Sequence, residues 1–158
     1  GVEVHDIIRD GASNAAEGEE DVVESFRKAW VPQLTNALCL QYNSDYEGCK
    51  AHLQPLLSRY PGSVYLTTQL ALCAHNAEEP EEAIRLFRCV RQADKGYSMG
   101  MGIFAQLLYY NHTHPGDRVG SYKGYDEELS RLATDLLTEN PKVSAGWVAA
   151  ALYTELRG

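Results

Sequence analysis

Apolar and small residues recur along this chain at helical spacing, and the helical pattern itself recurs. Ala37, Ala71 and Ala105 stand 34 residues apart. Cys49 to Ala83, Leu53 to Phe87 and Leu56 to Val90 keep the same 34-residue interval. Cys49, Leu53 and Leu56, like Ala83, Phe87 and Val90, are spaced four and three residues apart, which places each set on one face of a helix. One coincident pair would carry little weight. A whole set in register predicts a repeating unit of two helices and a turn, each unit burying its apolar face against the next. The predicted fold is therefore all-α: a solenoid of antiparallel helix pairs with no single compact core.

The units can be laid out in sequence. Residues 30–63 form the first, with Ala37 as the small residue of the leading helix, Leu40 behind it, Cys49 and Leu53 on the second helix, and Pro61 closing. Residues 64–97 form the second, with Ala71, then Ala83 and Phe87, and Lys95 where the closing Pro would stand. Residues 98–143 form the third, with Ala105 and Leu108, then Leu129 and Ala133, and Pro141 closing. Residues 144–158 supply the first helix of a truncated fourth unit, which carries Trp147 and Ala151. A small residue lets the partner helix approach, a small–large pair fills one face, and Pro ends the helix because it has no N–H. Unit length and pattern together resemble the tetratricopeptide repeat, and that resemblance implies a right-handed superhelix.

Ala105 to Ala151 is 46 residues, 12 more than the period, and the surplus falls in an insertion over residues 112–125 rich in Gly, Pro and polar groups. Asp126 is expected to cap the helix that resumes at Glu127. Pro80 suits a helix start, whereas Pro55 falls within the second helix of its unit and predicts a kink or an early start. Residues 1–29 lack the pattern. They are expected to form a degenerate or capping helical segment, with short helices over 2–9 and 21–29 around a polar stretch.

Composition narrows the partners. The chain has 158 residues and a net charge of −8, which disfavours nucleic-acid backbones and anionic membranes. No apolar run approaches the ~20 residues of a membrane span, and the N-terminus lacks a signal-peptide pattern. The four cysteines show no metal or disulfide spacing. They are read as small buried hydrophobes, with a reduced nuclear or cytoplasmic location following. His112 and His114 lack the further ligands that zinc requires. Gly96, Gly100 and Gly102 do not make a dinucleotide fingerprint and point to tight turns or close packing. Asn111-His112-Thr113 is a glycosylation acceptor pattern that matters only in a secreted chain. No catalytic residue, cofactor or metal is expected.

In repeats of the family resembled, the second, fifth, ninth and twelfth residues of each leading helix line a concave groove. They are Val31, Leu34, Leu38 and Gln41; Tyr65, Thr68, Leu72 and His75; Met99, Gly102, Gln106 and Tyr109. None is Lys, Arg or Asn, so the carboxylate clamp of chaperone-binding relatives is missing. The mixed apolar and aromatic lining suits a peptide, an extended tail or a partner helix. Other features add to the picture: Trp30 opening a unit, Asp45-Tyr46 at its turn, Gly100-Met101 ahead of Phe104-Ala105-Gln106-Leu107-Leu108, and Gly146-Trp147-Val148. Together they resemble the tetratricopeptide subunits of the anaphase-promoting complex. That resemblance implies a non-catalytic, homodimeric scaffold in a ubiquitin ligase that controls mitosis, docking other subunits or peptide tails. A peptide-binding adaptor of another complex, or an accessory domain of an enzyme, are the competing classes.

Overall fold

The structure, a computed structural model, describes residues 24, 25, 28, 30–114 and 124–158. The expected capping segment over 1–29 and the centre of the 112–125 insertion lie almost wholly outside the described residues. Among the described residues every regular element is a helix. α1 covers residues 30–42. It is followed by α2 (Tyr46–Arg59), α3 (Val64–Asn76), α4 (Pro80–Ala93), α5 (Met101–Thr113), α6 (Tyr125–Glu139) and α7 (Ser144–Arg157). From α2 onward each helix packs on the next in sequence, and α5 also packs on α7.

The turns show why the helices begin and end where they do. After α1 the Ser44 N–H bonds to the Gln41 carbonyl and the Asp45 N–H to that of Leu40. After α3 the Glu78 N–H bonds to His75 and the Glu79 N–H to Ala74, 34 residues on in every position. Ser44 and Glu78 both take the left-handed backbone, with φ of 63° and 61°. That conformation closes a helix by satisfying its last carbonyls. The following helices start on local signals. Asp45 accepts the Gly48 N–H at 2.9 Å and caps α2, Ser63 accepts that of Leu66 at 3.3 Å and caps α3, and Pro80 opens α4.

Two starts differ from the sequence expectation. α6 begins at Tyr125, so Asp126 lies in its first turn, where its charge favours the positive helix end, rather than capping it. α5 begins at Met101, three residues later than the 34-residue period carried forward from Val64. Lys95 replaces the closing Pro here, and the connection runs on to Gly100, which is left-handed at φ 76°. α2 runs from Tyr46 to Arg59, so Pro55 lies within the helix and does not open it. Ala51 and Pro55 are both exposed, which leaves the Ala51 carbonyl free to bond water.

The core threads along the row of helices. Ala37, Ala71 and Ala105 are all 0% exposed, and Cys49, Leu53, Ala83, Phe87, Leu129 and Ala133 are buried beside them. Phe87 of α4 stacks on Phe104 of α5 with ring centroids 5.4 Å apart. A Cβ placed on Gly100 would meet Phe87 at 2.8 Å and Thr68 at 3.2 Å, so glycine is required there for both space and backbone. Gly146 plays a similar part between α6 and α7, where an added Cβ would sit 3.0 Å from Leu137.

α7 departs from the expected packing. It buries Ala145, Gly146 and Ala149 against its neighbours, while Ala151 is exposed and Trp147 is 60% exposed. Trp147 and Ala151 lie on the face turned away from α5 and α6, and no described helix covers that side. The Trp147 indole N–H donates to the Pro141 carbonyl at 2.8 Å, which satisfies its polar end.

The cysteines also divide differently from the reading as four buried hydrophobes. Cys39 and Cys89 are exposed, and Cys49 and Cys73 are joined as a disulfide between α2 and α3. Their separation of 24 residues in sequence concealed the pairing, which depends on how α2 meets α3.

Candidate binding face

The groove residues expected from the sequence are not equivalent in the fold. Val31, Leu38 and Gln106 are exposed on their helices. Leu34, Gln41, Tyr65, Leu72, His75 and Tyr109 are half-buried. Thr68 is fully buried, its hydroxyl donating to the Val64 carbonyl at 2.8 Å and its methyl lying under Gly100. It belongs to the packing of α3 because the late start of α5 brings Gly100 down onto it. Met99 is exposed but precedes α5, so it belongs to the connection and not to a helix face.

Two of the expected residues meet across a cleft. His75 from the end of α3 and Gln106 from α5 line it with Glu78, Pro80, Leu107, Tyr110, Asn111 and His114, enclosing about 460 Å³. Tyr110, 63% exposed, stacks against His114 with ring centroids 5.7 Å apart. The sequence reading did not place Tyr110, Asn111 or His114 on a binding face, having weighed Asn111 and His114 only for glycosylation and metal binding. Gln106, Tyr110 and His114 follow one another at four-residue steps, so the signal was present, but it emerges only once α5 is known to continue to Thr113.

Extension of α5 also changes two other candidates. Asn111 lies inside the helix and its amide donates to the Leu107 carbonyl at 2.8 Å, so the glycosylation pattern sits on ordered helix instead of an open loop. His112 is helical too, and the Thr113 hydroxyl lies 2.9 Å from His114 Nδ1. Among the described residues no group of three or more His, Cys, Asp or Glu side chains is placed to hold a metal.

On the far side of α5, Tyr109 faces α7. A hydrogen bond with Glu155 and the charge of that carboxylate hold its phenol above the usual tyrosine value. A second cleft, about 410 Å³, lies between α4 and α6 and is lined by Arg88, Arg91, Lys95, Arg131, Glu127, Glu128 and Asp135. Its charges are largely matched. Arg88 donates to Glu128 through Nε at 2.9 Å and Nη2 at 2.7 Å, and Arg91 holds Asp135 and the Lys95 carbonyl. These pairs fasten α4 to α6 and leave little unmatched charge for an ionic ligand.

No described helix is long and apolar enough to cross a membrane. Apolar and aromatic side chains, amide groups and imidazoles converge on one open cleft. No protein-family model matches the chain, and no curated protein matches it.

Proposed function

We propose that this chain is a segment of a tetratricopeptide solenoid, wound as a right-handed superhelix, that acts as a non-catalytic protein–protein scaffold. The observation that carries this proposal is the 34-residue recurrence, which runs from side chains into backbone. Ala37, Ala71 and Ala105 are each fully buried, and the turns at Ser44 and Glu78 repeat their hydrogen bonds and left-handed φ. Within that class the residues quoted above favour a subunit of the anaphase-promoting complex, nearest its seventh and next its eighth. The partners are then other protein subunits or peptide tails, with homodimerisation, in the nucleus and cytoplasm. The net charge of −8 supports protein partners over nucleic acid.

The test is affinity capture of the full-length protein from native extract, read by mass spectrometry. Recovery of cullin-like and RING subunits with other tetratricopeptide subunits is the expected result. A different complex, recovered without them, would replace the ligase assignment.

The cleft at His75, Gln106 and Tyr110 favours a second reading, a peptide-binding adaptor of another complex. In that case an isolated short peptide binds the domain tightly, and Tyr110→Ala abolishes binding without lowering the melting temperature.

A further inference from the structure

We propose that Met99 is a methionine-oxidation site whose sulfoxide is received by Gln69 and Tyr97. The chain has two methionines, Met99 and Met101. The fold separates them sharply. Met101 opens α5 with no exposed surface, whereas Met99 lies in the connection ahead of it, 45% exposed. An accessible thioether is open to peroxide and a buried one is shielded.

The surroundings of Met99 single it out further. The Gln69 side-chain amide donates to its Sδ at 3.7 Å, and the Tyr97 hydroxyl donates to the same sulfur at 3.6 Å. A thioether is a weak acceptor. Gln69 is only 7% exposed, so this amide is turned inward onto the sulfur with little access to water. Two donors therefore already face the atom that oxidation would make strongly accepting.

The chemistry balances with hydrogen peroxide as the oxidant. A sulfur lone pair attacks one peroxide oxygen, an S–O bond forms and the O–O bond breaks. The second oxygen departs as water after proton transfer. Sulfur gives up two electrons and the peroxide accepts them. Sulfoxides usually disrupt packing because a polar group is created without partners. At Met99 the partners are in place, one on α3 and one in the α4–α5 connection. Oxidation therefore preserves the tie between α3 and that connection while making an exposed apolar position polar.

The test exposes the whole chain to hydrogen peroxide and follows both methionines by peptide mass mapping, with thermal melts alongside. Sulfoxide should accumulate at Met99 about ten-fold faster than at Met101. The oxidised wild type should keep its melting temperature, whereas oxidised Gln69→Leu/Tyr97→Phe should lose several degrees relative to the same variant unoxidised. If that double variant does not fold, Tyr97→Phe alone serves, with half of the reception removed. Comparable oxidation rates at Met99 and Met101 would overturn the proposal. So would a fall in melting temperature of oxidised wild type as large as that of the oxidised variants.

Discussion

Ser44 and Glu78 stand 34 residues apart and hold nearly the same left-handed backbone, with φ of 63° and 61°. Neither is glycine, and neither is the Asn that best tolerates this region. Each turn thus carries a steric cost of about 1 kcal/mol, accepted because the geometry closes one helix and aims the next. Replacing either residue by glycine should raise stability by about 0.5 kcal/mol, since relief of strain outweighs the added freedom of the unfolded chain. Denaturant melts of Ser44→Gly and Glu78→Gly check this. Matching gains at both sites support one turn used twice, and a loss at either would break the equivalence.

Gly100 is the opposite case. A side chain there meets the Phe87 ring at 2.8 Å and must also adopt φ 76°. Gly100→Ala should cost about 2–4 kcal/mol, from left-handed strain and overpacking together. Gly102, where an added Cβ meets nothing within 4 Å, provides the control. Gly102→Ala should be neutral or stabilising in the same chemical denaturation series, because alanine suits a helix better.

Arg88 and Glu128 join α4 to α6 across 40 residues of sequence with bidentate geometry. Their side chains keep 35% and 22% of their exposure, so solvent screens the pair and its coupling should be about 1 kcal/mol. A double-mutant cycle on Arg88→Met and Glu128→Gln measures it. The coupling should shrink as salt rises from low to physiological strength. A coupling unchanged by salt would mean that packing, not charge, links the helices.

Stability should fall at both ends of the pH range. Hydrogen bonding to Glu79, aided by Glu47, raises the Lys50 ammonium above its usual 10.5. That contribution is fully present below 10.5 and is lost as pH climbs through the raised folded value. Hydrogen bonding to Arg85 lowers Glu82 below its usual 4.5, so its contribution is present above 4.5 and lost as pH falls through the depressed value. Lys50→Met should flatten the alkaline limb of a melting-temperature profile. Glu82→Gln should alter the acid limb only slightly, by about 0.3 kcal/mol, because the pair is exposed and screened.

The Cys49–Cys73 link pulls against a nuclear and cytoplasmic location, where thiols stay reduced. Purified oxidised protein should lose about 2–4 kcal/mol of stability on reduction, the range expected for a loop of this length. Cys49→Ala/Cys73→Ala should be insensitive to reductant. Thiol trapping in intact cells then decides the native state: a blocked pair argues for an oxidising compartment, and a labelled pair keeps the proposed location.

Much of the fold was legible because helix packing is periodic. The 34-residue spacing of Ala37, Ala71 and Ala105 marks positions that the fold buries completely, as small residues packed between helices do. Pro80 and Ser63 announce helix starts by chemistry that acts within one turn. The candidate face was less legible. Whether Thr68 faces solvent depends on Gly100 settling over it, and whether Tyr110 and His114 join His75 depends on how far α5 runs.

The sequence by itself determined the helical class, the repeat period and most of the buried positions, since these follow from local spacing and from the need to cover apolar faces. Only the tertiary structure decided which residues meet across helices. The Cys49–Cys73 link, the Arg88–Glu128 clasp, the pairing of Gln69 and Tyr97 on Met99, and the outward face of Trp147 and Ala151 all depend on how neighbouring helices rotate and where each begins. A period fixes which residues share a face; it does not fix the three-residue delay at α5 that sets what that face touches.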